Sequence, residues 1–278
     1  MLTRILTGVI ALLIFIPVLF LSDTIIFDIV IAFISFMGTI ELLKCMGIIK
    51  KFAISVPSML VSFLVPLLIR YITREAIMLI FIAYLFYLLY AAVFARKENS
   101  TGDIALCFFA TVFVTVSFTS IIITRNLDPY GDIIYLMIFI GAWSTDTFAY
   151  FTGKLFGRHK CFPNISPNKT LEGVIGGIVF CSLAFVLYGF IIAKLNSFDA
   201  EPNYIMLACA GIATSVIAIL GDLSMSAIKR NYNIKDYGAI FPGHGGILDR
   251  FDSVMAVAPA IMIISAILLK VNGYGLFT

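Results

Sequence analysis

At 278 residues, with 61% hydrophobic and only 13% charged side chains, the chain departs from the roughly 45–50% apolar and roughly 25% charged make-up of soluble domains. Its mean hydropathy of +1.06, together with apolar runs about as long as a spanning helix, roughly 20 residues, excludes a water-soluble globule. A formal charge of only +3, with no block of five like charges, excludes an electrostatic nucleic-acid binder.

Runs long enough to cross a bilayer fall at roughly 5 to 22, 24 to 43, 53 to 70, 76 to 95 and 103 to 123. Four more lie at roughly 131 to 151, 171 to 193, 204 to 221 and 253 to 270. The first follows Arg4 and resembles a secretory leader, but no A-x-A-like cleavage site follows it and further spans come directly after. It is read as the first of about nine helices. Helices and closed barrels alone satisfy their backbone hydrogen bonds in lipid, and these runs lack the alternation of barrel strands. The expected fold class is therefore an all-α integral membrane protein with about nine transmembrane helices and two polar loops, 152–170 and 222–252. Cys45, Cys107, Cys161, Cys181 and Cys209 form no CxxC pair or zinc spacing and read as small apolar fillers.

With nine spans and a cytoplasmic N-terminus, the 19 Lys and Arg divide 14 to 5 in favour of the cytoplasmic side. The minority is Arg70, Arg74, Arg125, Lys194 and Lys270. Both polar loops then face the cytoplasm, where nucleoside triphosphates are found.

From Trp143 onward, polar residues appear at membrane depth. Asp146 is an acid inside an apolar run, a placement that costs about 2.5–3.5 kcal/mol on insertion scales. It is either a functional carboxylate or a packing residue bonded to a neighbouring Ser or Thr. The loop after it is basic and glycine-bearing, from Gly153 to Lys160 and from Ser166 to Gly173. Ser166 or Asn168 is expected to cap the next helix, whose free amides and Lys169 would suit a phosphate. Taken alone, the loop is equally an ordinary positive-inside connection.

Asp222, Ser226, Lys229 and Arg230 fall at i, i+4, i+7 and i+8 and share one face if the helix continues past Gly221. After Asn231 to Gly238 comes Phe241-Pro242-Gly243-His244-Gly245-Gly246-Ile247-Leu248-Asp249-Arg250-Phe251-Asp252. Asp222, Asp249 and Asp252 supply hard oxygen ligands suited to Mg²⁺, and the glycines suit close approach of backbone to phosphate. His244 fits a structural or phosphate-binding role ahead of a general base.

Ser226-x-x-Lys229-Arg230, Lys235-Asp236-x-Gly238 and Phe241-Pro242-x-His244-Gly245-Gly246-x-x-Asp249-Arg250-x-Asp252 resemble the signature of the phosphatidate cytidylyltransferase (CDP-diacylglycerol synthase) family. Gly221-Asp222-Leu223, Asp146-x-x-Ala149-Tyr150 and Ser166-Pro167-x-Lys169-Thr170-x-Glu172-Gly173 resemble it as well. Ser224-Met225, Tyr237, Asn168 and Leu171 depart from it. The resemblance covers about residues 140 to 255, and it implies variable N-terminal helices over 1–125 and a catalytic region over 126–278.

It further implies an Mg²⁺-dependent nucleotidyltransferase of phospholipid biosynthesis. CTP and phosphatidic acid would give CDP-diacylglycerol and pyrophosphate at a bacterial-type plasma membrane, with a homodimer as the plausible assembly. Asp222 and Asp249 become the metal ligands, and Asp252, Ser226, Lys229 and Arg230 join them as catalytic residues. Lys169, Arg250, His244, Ser166 and Asp146 become substrate-binding. A CTP-dependent polyprenol or phytol kinase is the nearest alternative. A CDP-alcohol phosphotransferase lacks its D-G-x-x-A-R cluster here, and no inverted repeat supports an ion-coupled transporter.

Overall fold

The computed structural model describes residues 13, 15–95, 98–195, 201–240, 245–272 and 275–277. After a helical stretch at 15–20, the described residues form α1 (Ile25–Cys45), α2 (Phe52–Leu68), α3 (Arg74–Phe94), α4 (Thr101–Arg125) and α5 (Gly131–Phe156). Then come strands β1 (Lys160–Phe162) and β2 (Ser166–Thr170) and helices α6 (Leu171–Leu195), α7 (Tyr204–Asn231) and α8 (Leu248–Asn272). Seven of these helices are long and apolar enough to cross a membrane, and α2 is a shorter apolar helix. The chain is an all-helical integral membrane protein, as its apolar runs require. Of the expected first span, residues 5–12 and 14 lie outside the described residues.

The chain divides into two compact units, Met1–Ile123 with Asn231–Phe251 and Thr124–Arg230 with Asp252–Thr278. In the first unit, α1 ends at Gly47, whose φ of 73° is the left-handed conformation that glycine adopts without a steric penalty. There the Ile48 N–H returns to the Leu43 carbonyl at 2.9 Å and closes the helix. At the start of α4, the Ser100 hydroxyl accepts from the Asp103 N–H while Asp103 accepts from the Ser100 N–H at 2.7 Å. That reciprocal cap satisfies two otherwise free amides. Tyr84 on α3 bonds Ser58 on α2 at 2.7 Å and Thr111 on α4 at 2.9 Å, so hydroxyls tie three helices together. Where lipid tails offer no hydrophobic driving force between helices, such bonds and close packing hold them.

The second unit is built on small residues. A Cβ on Gly211 of α7 would lie 2.6 Å from the Ser182 Cα of α6, and one on Gly173 of α6 would lie 2.7 Å from the Ala149 carbonyl of α5. Backbones therefore approach closely, as membrane helices with Gly at the interface allow. A Cβ on Gly221 would lie 2.5 Å from the Ala256 methyl of α8, so this glycine packs against a neighbour and does not end its helix. As a result α7 runs to Asn231, ten residues beyond the apolar run read from sequence. Likewise α5 extends to Phe156 and α8 begins at Leu248, because polar residues continue these helices past their apolar segments.

The polar loop between α5 and α6 folds as an antiparallel hairpin in which Lys160 pairs with Thr170 and Phe162 with Ser166. This corrects the expected helix cap. Ser166 and Asn168 lie in β2, and it is the Thr170 hydroxyl that accepts from the Gly173 N–H at 3.2 Å. Glu172, in the first turn of α6, accepts from the Arg158 and His159 amides at 3.1 and 3.3 Å and from His159 Nδ1 at 2.6 Å, fixing the turn into β1. None of the five cysteines is in a disulfide.

Candidate active site

Within the second unit, α5, the hairpin, the start of α6, α7 and α8 enclose a cavity of about 550 Å³. That is a size typical of small-molecule sites, roughly 300–1,000 Å³. Its wall carries Asp146, Asp222 and Asp252 together with Lys154, Lys160 and Lys169. Three acids and three lysines in one recess of a chain this apolar is the arrangement that intramembrane charge takes when it serves a ligand.

Each polar side chain is placed by a local device. Lys169 alternates with Thr170 on β2: Thr170 turns inward to cap α6, and Lys169 reaches the Asp222 carboxylate at 2.6 Å. Ser226, one helical turn after Asp222, directs its hydroxyl to the other Asp222 oxygen at 3.4 Å. Asp146 accepts from the Ser253 hydroxyl at 2.7 Å, the serine contact of its packing reading, and it also lines the cavity. The Ser253 N–H donates to Asp252 at 2.9 Å. Asp146 and Asp222 both act electrostatically on Asp252, with Lys229 as an opposing cation. Mutually repelling carboxylates held together in a recess favour a bound cation or cationic partner.

Of the expected residues, Asp146, Lys169, Asp222 and Asp252 meet at this cavity, with Ser226 and Lys229 beside its acids. Arg230 donates its Nε–H to the Ile165 carbonyl at 3.3 Å, which ties α7 to the hairpin turn. Ser166 pairs in the hairpin and is not among the lining residues. Asp249 and Arg250 stand in the first turn of α8 and belong to the first unit. Asp249 Oδ2 accepts there from the Tyr237 and Gly246 amides at 2.8 and 2.9 Å. His244 lies outside the described residues.

Lys154 and Lys160 line the cavity and Ser253 bonds one of its acids, though the sequence singled out none of the three; Asn168, expected only as a helix cap, lines the cavity too. Lys160 joins the wall only because the hairpin folds it back beside Thr170, and a three-residue strand leaves no periodic signal. Ser253 could have been found from its place next to Asp252.

Among the described residues, no three His, Cys, Asp or Glu side chains are grouped to ligate one ion. Mg²⁺ in nucleotide sites is commonly held by one or two carboxylates plus substrate phosphates and water, not by an all-protein cage. The paired oxygens of Asp222, with Asp146 and Asp252 nearby, fit that kind of donor set.

The family model described as "Cytidylyltransferase family" matches residues 2–268. The chain is 38% identical over 268 residues to the phosphatidate cytidylyltransferase of Staphylococcus haemolyticus, covering 94% of this chain and 97% of that one. It is 35% identical over 271 residues to the phosphatidate cytidylyltransferase of Bacillus subtilis, covering 95% and 97%. A third such relative, from Staphylococcus aureus, is 38% identical over 268 residues, covering 94% and 97%.

Proposed function

The chain belongs to the cytidylyltransferase family, and from that premise we infer that it transfers CMP from CTP to phosphatidic acid, giving CDP-diacylglycerol and pyrophosphate. The observation that carries the reading to particular side chains is the cavity lined by Asp146, Asp222, Asp252 and three lysines. A phosphatidate oxygen forms the new bond to the α-phosphorus of CTP while the α–β anhydride bond breaks and pyrophosphate leaves with its electron pair. A phosphate monoester is already largely ionised near neutral pH, so the reaction needs little from a general base. What it needs is positioning and neutralisation of two anionic reactants.

Lys169, Lys160 and Lys154 supply fixed positive charge on the cavity wall. Lys229 and Arg230, both about two turns beyond Asp222 on α7, extend that charge along the helix. Asp222 is the principal candidate to hold Mg²⁺, with Asp252 and Asp146 next to it. Asp249 keeps its role as a metal ligand on motif spacing alone, and Arg250, His244 and Ser166 keep theirs as substrate-binding residues on the same ground. A divalent cation, when bound, supplies charge neutralisation at the phosphate oxygens and at the leaving pyrophosphate. The acyl chains stay in the bilayer, and the 14-to-5 division of Lys and Arg supports a nucleotide site on the cytoplasmic side.

The test is turnover of labelled CTP by the purified protein with phosphatidic acid and Mg²⁺. Lipid-linked CMP and free pyrophosphate are expected, with chelation by EDTA abolishing both and Mg²⁺ restoring them. Release of CDP with a phosphorylated lipid would mean attack at the γ-phosphorus and a kinase instead.

A further inference from the structure

Glu41 sits near the end of α1 and is only 3% exposed. Both of its carboxylate oxygens are committed to backbone far along the chain. Oε1 accepts from the Ile247 N–H at 3.0 Å and Oε2 from the Leu248 N–H at 2.9 Å. These are the amides that open α8, and the first amides of a helix have no partner within it. They also carry the positive end of the helix dipole, which favours an anion.

Two glycines make room for this carboxylate. A Cβ on Gly246 would lie 2.5 Å from the Glu41 Cδ, and one on Gly238 2.9 Å from the same atom. Gly245, at φ +83°, turns the chain just before Gly246, against the Asp249 side chain. Asp249 in turn accepts from the Gly246 and Tyr237 amides. The Gly246, Ile247 and Leu248 amides are thus shared between two carboxylates, one local and one from α1. Of the glycines that the sequence offers for close approach to a phosphate, Gly246 lies against Glu41 and Gly245 against Asp249.

We propose that Glu41 is the positioning residue for Gly238 and for residues 246–249, an internal anion that takes the helix-opening amides and thereby sets the start of α8, the helix on which Asp249 and Asp252 stand. It does not contact the reacting atoms. Gly238 and Gly246 are the complementary half of the device, because any side chain at either position displaces the carboxylate. The role rests on the cytidylyltransferase reading, since it is that reaction which the segment serves.

The test uses the full-length protein in detergent and four variants: Glu41→Gln, Glu41→Ala, Gly246→Ala and Glu41→Ala with Gly246→Ala. Glu41→Gln keeps the shape but offers one acceptor and turns an NH₂ toward an amide N–H. Its kcat is expected to fall about 100-fold, the scale of loss when a supporting group lets a site shift by about an ångström. KM for CTP should stay within about threefold, because no substrate contact is removed. Amide hydrogen exchange at 246–248 should quicken by about tenfold or more in the same variant as that opening loosens. This second readout needs no turnover, so it separates the inference from the reading it rests on. Gly246→Ala should reproduce the loss, yet cost less than about threefold when Glu41 is already alanine, since the two share one contact. Glu41→Gln with wild-type kcat and unchanged exchange overturns the proposal, as do independent, multiplying losses in the double variant. Wild-type protein that makes no lipid-linked CMP while exchange still quickens in Glu41→Gln removes the enzymatic reading and leaves the Glu41 contact standing.

Discussion

Lys169 and Asp222 form the ion pair at the centre of the cavity, with side chains 19% and 23% exposed. Neither is simply a salt bridge for stability, since half-exposed and buried pairs contribute little net free energy. Under the proposed function, their value lies in holding opposite charges where two anionic reactants must meet. Lys169→Met and Asp222→Asn are each expected to lower kcat/KM by about 100- to 1,000-fold, the scale seen when one preorganised electrostatic group is removed. If the two act as a unit, the double variant loses no more than about tenfold beyond the worse single. Steady-state rates with labelled CTP decide this, and a product of the two single losses would refute the unit. Both residues were legible because charge is conspicuous in a chain with only 13% charged residues. Glu41 was not legible as a partner of the motif: it lies in an apolar run, and its contacts are 206 and 207 residues away in sequence.

Among the elements, the spanning helices followed from the length of their apolar runs, while their polar extensions did not. The distinction is physical. Hydropathy marks where lipid touches a helix, but α7 continues from Gly221 to Asn231 because the missing Cβ of Gly221 admits Ala256 and the backbone stays helical. That continuation places Asp222, Ser226, Lys229 and Arg230 on one face, as their spacing requires if the helix does not stop. The hairpin was hidden for a different reason, since Lys160–Phe162 and Ser166–Thr170 are too short and too polar to show a period. Small-residue packing gives the prediction at this scale. Gly211→Ala drives a methyl toward Ser182 backbone atoms at 2.6 and 3.1 Å, which cannot rotate away. A loss of about 1–3 kcal/mol is expected from such overpacking, read as a lowered thermal midpoint in detergent. Gly102→Ala is the control, because its nearest neighbour would be Ser100 Oγ at 3.6 Å, and it should leave the midpoint unchanged or slightly raised. Equal effects at the two sites would mean that Gly211 does not mark a close approach.

For the whole molecule, the prediction of greatest consequence concerns the face of the membrane that the polar loops occupy. Ion pairs in the first unit already sort its loops by end. Arg70, after α2, donates to Asp28 at 2.9 Å and to the Ser22 carbonyl, joining it to the start of α1. Lys51, before α2, pairs instead with Asp103 at the start of α4. The nine-span alternation assigns these same groupings to opposite faces, with Arg70 outside and Lys51 inside. The bias of 14 to 5 then names the inside as cytoplasmic. Single cysteines introduced as Arg74→Cys and Lys160→Cys, in a background with the five native cysteines replaced by serine or alanine, test this directly. A membrane-impermeant maleimide is expected to label the position-74 variant on intact cells and the position-160 variant only after permeabilisation. The reverse pattern would put the lysine-lined cavity on the side without nucleotide, and the orientation would have to be abandoned. Labelling of both on intact cells would mean that the number of spans between residues 74 and 160 is even, contrary to the three helices α3, α4 and α5 that connect them.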